Sequence, residues 1–195
     1  MKRIFDFSLA LIGLFMSSPL WLLFSLAVWL EDRGPILYLQ ERVGKNGKTF
    51  RSIKFRSMIP DAEKRFGPVQ SQRNDPRHTK VGRILRKMAM DELPQLINIL
   101  NGEMSFVGPR ALRPREIEPT DNSCAKDIFH ITGFEKRSSI RPGLTGVAQV
   151  FASRSLTREE KFKYDLWYID NMNFWLDIRL IVKSILITFI ARWDR

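Results

Sequence analysis

Residues Phe7 to Leu30 carry no charged side chain, and this uncharged run of 24 restricts the fold more than any other feature of the sequence. About 20 apolar residues suffice for a helix to cross a bilayer. A secretory leader has an apolar stretch of only ~7–15 residues before a small-residue cleavage site, so the run reads as a membrane element of the folded protein. Its middle is Ser17-Ser18-Pro19. Proline removes a backbone donor and kinks a helix, and nearby serine hydroxyls help satisfy the groups a kink frees. Lys2 and Arg3 precede the run, while Arg33, Arg42, Lys45, Lys48 and Arg51 follow it. Basic flanks favour the cytoplasm, and here they stand at both ends. A helix that breaks at Ser18-Pro19 and returns to the side it entered resolves the conflict. A single spanning helix kinked at the proline is the alternative.

Beyond this run, 44% hydrophobic residues in a chain of 195 provide for a real core. The net charge of +11 calls for an anionic partner: nucleic acid, anionic lipid or a phosphorylated substrate. From Arg42 to Lys87 there are 14 Lys or Arg against three acids, an excess equal to the whole net charge. A basic stretch so close to a membrane segment holds anionic lipid, and it can also bind phosphate. Cys124 stands alone, which excludes an intrachain disulfide, and two histidines, His78 and His130, do not make a zinc site.

Gly34-Pro35 marks a break, and Ile36 to Gln40 reads as extended. Phe50, Ser52, Lys54 and Arg56 share one face if Thr49 to Met58 is a strand, which would aim Lys54 and Arg56 at one phosphate. Asp61 to Phe66 reads as a short helix and Gly67 to Arg77 as a loop. Asp91-Glu92-Leu93-Pro94-Gln95 then opens a helix that Gly102 closes. Acids at helix starts often only cap amides. Two adjacent carboxylates after a dense basic stretch also suit covalent catalysis, in which a carboxylate attacks phosphorus. Like-charge repulsion then has to be offset by a divalent cation and by arginine or lysine. Glu92 is the candidate for holding Mg2+, and Lys54, Arg56 and Arg86 supply fixed charge. Two turns present further arginines suited to phosphate: Gly108-Pro109-Arg110 and Arg141-Pro142-Gly143.

These residues together resemble the bacterial sugar transferases, the monotopic polyprenyl-phosphate phosphoglycosyl transferases. The resemblance rests on the apolar run with Ser18-Pro19, KFRSM at Lys54 to Met58, DELPQLINIL at Asp91 to Leu100, SFVGPR at Ser105 to Arg110 and RPGLTG at Arg141 to Gly146. It spans nearly the whole chain and is closest to the family's minimal form. It implies a re-entrant helix-break-helix with both ends cytoplasmic, placing the protein at the cytoplasmic face of the bacterial inner membrane. It implies that Asp91 attacks the sugar-bearing phosphate of a UDP-sugar, releases UMP and holds the phosphosugar until polyprenyl phosphate takes it. Glu92 resembles the family's magnesium partner, Lys54, Arg86 and Arg110 its basic positions, and Asp165 a further acidic position. Two departures stand out. Ala111 replaces the family's usual second proline, which should loosen the turn that carries Arg110, and Ala89 stands where a hydroxyl residue is frequent. Thr120 to Arg137 has no legible signature.

Phe174, Ile178, Ile181, Val182, Ile185 and Phe189 recur at helical spacing, with Asp177, Lys183, Ser184 and Thr188 mainly opposite. With Trp175 and Trp193 this reads as a helix lying in a membrane interface. The expected fold is α+β and mainly helical, with a small sheet, organised as a membrane hairpin over 1–33, a catalytic region over 34–171 and an amphipathic helix over 172–195. Expected partners are a UDP-sugar, polyprenyl phosphate and a phospholipid membrane, with homodimerisation open. Nucleic acid is not expected, since stacking aromatics are scarce in the basic stretch. A non-catalytic basic membrane scaffold is the rival reading, and another nucleotide-phosphate transferase the nearest enzymatic one. The sequence does not identify the sugar.

Overall fold

The uncharged run forms one long helix, α1 (Lys2–Asp32), in a computed structural model that describes residues 1–60, 62, 75–114, 127–153 and 156–190. The expected break at Ser18-Pro19 does not interrupt it, and the reason is local chemistry. Pro19 cannot donate to the Phe15 carbonyl four residues back. The Ser18 hydroxyl donates to that same carbonyl at 2.8 Å and takes over the missing bond. α1 is long and apolar enough to cross a membrane, and little of it is buried.

One face of α1 is covered by the body of the protein along its whole length. Asp6, Ala10, Ser17 and Val28 are buried, a side chain on Gly13 would meet Leu96, and Trp21 and Phe24 pack edge-on against Phe55. The two ends are also held. Arg3 donates to the carbonyls of Ile99 and Leu100, and Asp6 accepts from the Ser105 hydroxyl and the Phe106 amide. At the other end Asp32 pairs with Arg56, and Glu31 accepts from the amides of Lys80 and Val81.

The chain then forms a hairpin of β1 (Leu37–Val43) and β2 (Thr49–Phe55), antiparallel with Gln40 opposite Ser52. Next come α2 (Lys80–Lys87), a tight turn Met90–Glu92 and α3 (Gln95–Asn101). Strands β3 (Ser105–Val107) and β4 (Gly143–Thr145) pair in parallel. Between them α4 (Phe134–Ser138) is described, and after them α5 (Val147–Phe151), α6 (Arg158–Asn171) and α7 (Phe174–Phe189). The architecture is mainly helical α+β with two small sheets. Thr79 caps α2 by accepting from the Gly82 amide. Gly82 itself is required, since a Cβ there would lie 2.1 Å from the Ser57 carbonyl oxygen. The expected helix at Asp61 to Phe66 apart from Ala62, most of the loop at Gly67 to Arg77, Cys124 and Trp193 lie outside the described residues.

α1 supplies side chains to two cores. Ala10 joins Phe50, Leu96, Ile99 and Met104, while Val28 joins Phe55 and Leu85. α7 turns Leu180 and Asp177 inward and leaves Phe174, Trp175, Val182, Ile185 and Leu186 exposed. Asp177 is inward because two partners satisfy it: the Tyr168 hydroxyl donates to it at 2.6 Å and Lys2 pairs with it at 2.6 Å. The Phe5 ring meets Phe174 at 5.2 Å, so the exposed apolar faces of α1 and α7 adjoin.

Candidate active site

The turn carrying Asp91 and Glu92 begins at Ala89, which has φ 53, a left-handed conformation that costs a residue with a side chain. This backbone lets the chain leave α2 and reverse against β2 before α3 starts. Asn98 fixes the approach. Fully buried, it accepts from the Ile53 amide at 3.0 Å and donates to the Arg51 carbonyl at 2.8 Å and to Glu103 at 2.7 Å. The edge of β2 is thereby pinned to α3, and Lys54, the next residue along, reaches the turn.

There Lys54 Nζ lies 2.5 Å from Glu92 Oε1, and Arg110 Nη2 stands 3.9 Å from the same oxygen. Burial pushes the Glu92 carboxyl up, but Lys54, Arg110 and Arg42 outweigh it and bring it down to about 2. Burial lowers the Lys54 ammonium, while Glu92 and Asp91 resist that shift. Asp91 is nearly buried and accepts no hydrogen bond from the described residues. Burial pushes its carboxyl above the usual range, with Glu92 adding to the rise and Lys54, Arg86 and Arg110 opposing it. A buried carboxylate without a hydrogen-bond donor is costly as a structural element, yet it is the state a nucleophile requires.

Beside this pair opens a small, open cleft of about 20 Å³, lined by Glu92, Lys54, Arg42, Arg110, Ser52 and Gln95 among others. Glu92, not Asp91, forms its lining. Arg110 is exposed at its rim, and the turn beneath it is firmly held although Ala111 has replaced the usual proline. Arg137 Nη2 donates to the Arg110 carbonyl at 2.6 Å, and Arg42 Nη1 to the Ala111 carbonyl at 2.9 Å. Two guanidiniums thus hydrogen-bond successive carbonyls of the turn that lacks the proline ring. The Gly108 and Gly143 backbones touch directly, and a Cβ on Gly143 would lie 2.1 Å from the Gly108 nitrogen.

Three residues expected at the phosphates are engaged elsewhere. Arg56 lies one residue past the end of β2, where the strand's alternation has lapsed. It is buried against Asp32 and donates to the Pro35 carbonyl at 2.5 Å. Arg141 donates to the Gly102 carbonyl at 2.6 Å and so closes the end of α3 with Arg3. Asp165 is buried against Arg137 at 2.7 Å. Burial pushes the Asp165 carboxyl up, against the pull of Arg137. Its reach to the cleft is indirect, through Arg137 and the Arg110 carbonyl. Arg86 stays exposed on α2, close enough to favour the Asp91 charge. Arg42, Ser52, Gln95, Asn98 and Arg137 were not singled out from the sequence. Gln95 and Asn98 lie inside the DELPQLINIL motif; the others gain meaning through distant partners.

Among the described residues no group of three or more His, Cys, Asp or Glu gathers to hold a metal. A magnesium ion needs only one or two carboxylates alongside substrate phosphates and water. Glu92 fits that requirement, being ionised over the ordinary pH range, partly exposed and at the cleft.

The chain matches the family described as bacterial sugar transferase over residues 1–191. It is 39% identical over 191 residues to the undecaprenyl-phosphate glucose phosphotransferase of Komagataeibacter xylinus, covering 94% of this chain and 35% of that protein. It is 35% identical over 198 residues to the exopolysaccharide production protein ExoY of Rhizobium meliloti, covering 94% and 83%. It is 37% identical over 187 residues to the UDP-N-acetylgalactosamine-undecaprenyl-phosphate N-acetylgalactosaminephosphotransferase of Aeromonas hydrophila, covering 94% and 42%. The chain thus spans less than half of the first and third of these proteins and most of the second.

Proposed function

The chain belongs to the bacterial sugar transferase family, and from that premise we propose that it moves a sugar phosphate from a UDP-sugar onto polyprenyl phosphate at the cytoplasmic face of the bacterial inner membrane. The observation that carries the chemistry is Asp91: nearly buried, without a hydrogen-bond donor, and set among Lys54, Glu92, Arg86 and Arg110. A carboxylate left bare and flanked by fixed positive charge can approach an anionic phosphorus that would repel it in water.

In the first step an Asp91 oxygen bonds to the sugar-bearing phosphorus and the bond to UMP breaks, its electron pair leaving with UMP. In the second, an oxygen of polyprenyl phosphate bonds to the same phosphorus and the bond to Asp91 breaks, restoring the carboxylate. Lys54 and Arg110 offset charge on the transferring group from fixed positions. Glu92 would hold Mg2+, which when bound supplies further charge neutralisation at the phosphates. Glu92 also opposes the lowering that burial imposes on the Lys54 ammonium and holds it by a hydrogen bond.

The membrane reading is supported by the adjoining apolar faces of α1 and α7. Both ends of this unbroken helix are tied to one body, which argues against a simple crossing. Arg33 stacked over Trp29 at 4.4 Å suits an interfacial position.

The test is UMP release from a panel of UDP-sugars by the full chain in nanodiscs, with undecaprenyl phosphate and Mg2+. Asp91→Asn and a magnesium-free reaction run beside it. UMP release from one donor, lost in both controls, is the expected result. Release of UDP instead would mean ordinary glycosyl transfer and overturn the mechanism. Release unchanged in Asp91→Asn would remove the nucleophile.

A further inference from the structure

The end of β1 reaches the loop that carries Arg110. On β1, Tyr38, Gln40 and Arg42 share a face, and the register sets Tyr38 opposite Lys54 and Gln40 opposite Ser52. Arg42 therefore rises from the same side of the hairpin as Lys54. Its guanidinium is held along the strand: Nη2 donates to the Gln40 side-chain oxygen, and the Gln40 amide nitrogen donates to the Tyr38 hydroxyl at 3.5 Å. Nη1 then donates to the Ala111 carbonyl at 2.9 Å. The next residue repeats the tie through its backbone, the Val43 amide donating to the Leu112 carbonyl at 2.8 Å. Two successive carbonyls after Arg110 are thus fastened to one strand end.

Arg110 needs such fastening. Its side chain is 55% exposed, and among the described residues its ion-pair partner is Glu92 alone, at 3.9 Å. Its direction therefore depends on the backbone beneath it, which Arg137 holds at the Arg110 carbonyl. Ala111 has no ring to fix φ, and its amide makes no hydrogen bond among the described residues. The bond from Arg42 is what restrains it. Resting on the phosphoglycosyl transferase reading, we propose that Arg42 is a positioning residue which, by holding the Ala111 carbonyl, aims the Arg110 guanidinium at the phosphates of the donor. One hairpin then places both cations that flank Glu92: Lys54 directly from β2, and Arg110 from β1 through Arg42. Arginine suits this task because one nitrogen anchors on the strand while another reaches the loop, and lysine has a single nitrogen for both.

The experiment is a set of double-variant cycles on the full chain in nanodiscs. Arg42→Met, Arg110→Ala and Ala111→Pro are made singly and in pairs, and Arg42→Lys repeats the Arg42 arm with the charge retained. Three quantities are read: UDP affinity by calorimetry with Mg2+ present, kcat/KM for UMP release, and melting temperature. Arg110→Ala is expected to weaken UDP about tenfold or more, the scale of a lost charge-assisted hydrogen bond. Arg42→Met should lose about fivefold or more with Arg110 present, and less than about twofold once Arg110 is gone. Adding Ala111→Pro to Arg42→Met should recover most of the loss, since a ring restrains the backbone where the hydrogen bond did. Arg42→Lys should show a smaller loss with the same coupling. Full additivity of Arg42→Met and Arg110→Ala would place Arg42 on the phosphate itself and overturn the proposal. A loss that Ala111→Pro leaves untouched would make the charge of Arg42 responsible and overturn it as well. A lower melting temperature with UDP affinity and kcat/KM intact would make Arg42 merely structural. Absence of UMP release from the unsubstituted chain, with the coupled losses in UDP affinity still present, would sink the reaction and keep the role of Arg42. UMP release and UDP affinity at native levels in Arg42→Met would keep the reaction and sink the role.

Discussion

Arg137 donates to the Arg110 carbonyl at 2.6 Å while Asp165 grips the same guanidinium from 2.7 Å. An arginine at the rim of the cleft is therefore positioned by a buried ion pair that does not line it. Replacing Asp165 by Asn leaves the Arg137 charge buried without its partner, a loss of about 3–5 kcal/mol when a buried pair is broken on one side. The expected outcome is a large drop in melting temperature together with reduced UMP release. Asp165→Glu should restore part of both. Thermal unfolding and turnover on the same preparations decide it.

Asp91→Asn should behave in the opposite way, losing activity but not stability. UMP release is expected to fall at least about a thousandfold. Burial raises the Asp91 carboxyl above its ordinary 3.8, so the folded protein holds that proton more tightly than the unfolded chain does. The ionised form therefore costs stability, and the cost grows as pH rises from 3.8 through the raised value. Asp91→Asn should thus equal or exceed the native chain in denaturant midpoint at neutral pH, and the gap should close in acid.

The same shift predicts the pH dependence of turnover. Glu92, at about 2, is ionised throughout the accessible range. The acid limb of kcat/KM accordingly belongs to Asp91 and should lie above the usual aspartate value. Lys54→Met removes the strongest opposing charge at Asp91. That limb should then move to higher pH, and turnover should fall about a hundredfold or more. A pH profile of the variant that overlays the native one would separate Lys54 from the nucleophile.

Ser18→Ala exposes the Phe15 carbonyl that Pro19 cannot satisfy, at a cost of about 1 kcal/mol. Pro19→Ala restores the amide, so the double variant should recover most of that loss. Thermal midpoints of the four proteins in nanodiscs form a cycle that measures the coupling directly.

Periodicity and motif chemistry recovered the elements whose logic is local. The apolar run announces α1, Gly102 marks a helix end, and Asp91 with Glu92 stands out by its context. What could not be read depends on partners remote in sequence. Strand alternation puts Lys54 and Arg56 on one face, but β2 ends at Phe55, and Asp32, 24 residues earlier, claims Arg56. Arg141 and Asp165 were legible as residue types suited to a site, yet a carbonyl at Gly102 and a guanidinium at Arg137 engage them first. Ala111 reads as a weakness only until Arg42 and Arg137 are seen on the turn. Asn98, which registers β2 against α3, is one amide in an otherwise ordinary helix until Arg51 and Ile53 are brought beside it.

The seating of α1 has a practical consequence. Ala10 and Val28 are core residues in the same sense as Leu96 and Phe55, and Arg3 and Asp6 hydrogen-bond backbone groups of the body. A tether can be cut, or exchanged for another of equal length, and leave its cargo intact. This helix is closer to a keystone: taking it out would open two hydrophobic interiors to water. Trimming the chain back to its charged portion should therefore yield aggregate in place of a soluble catalyst.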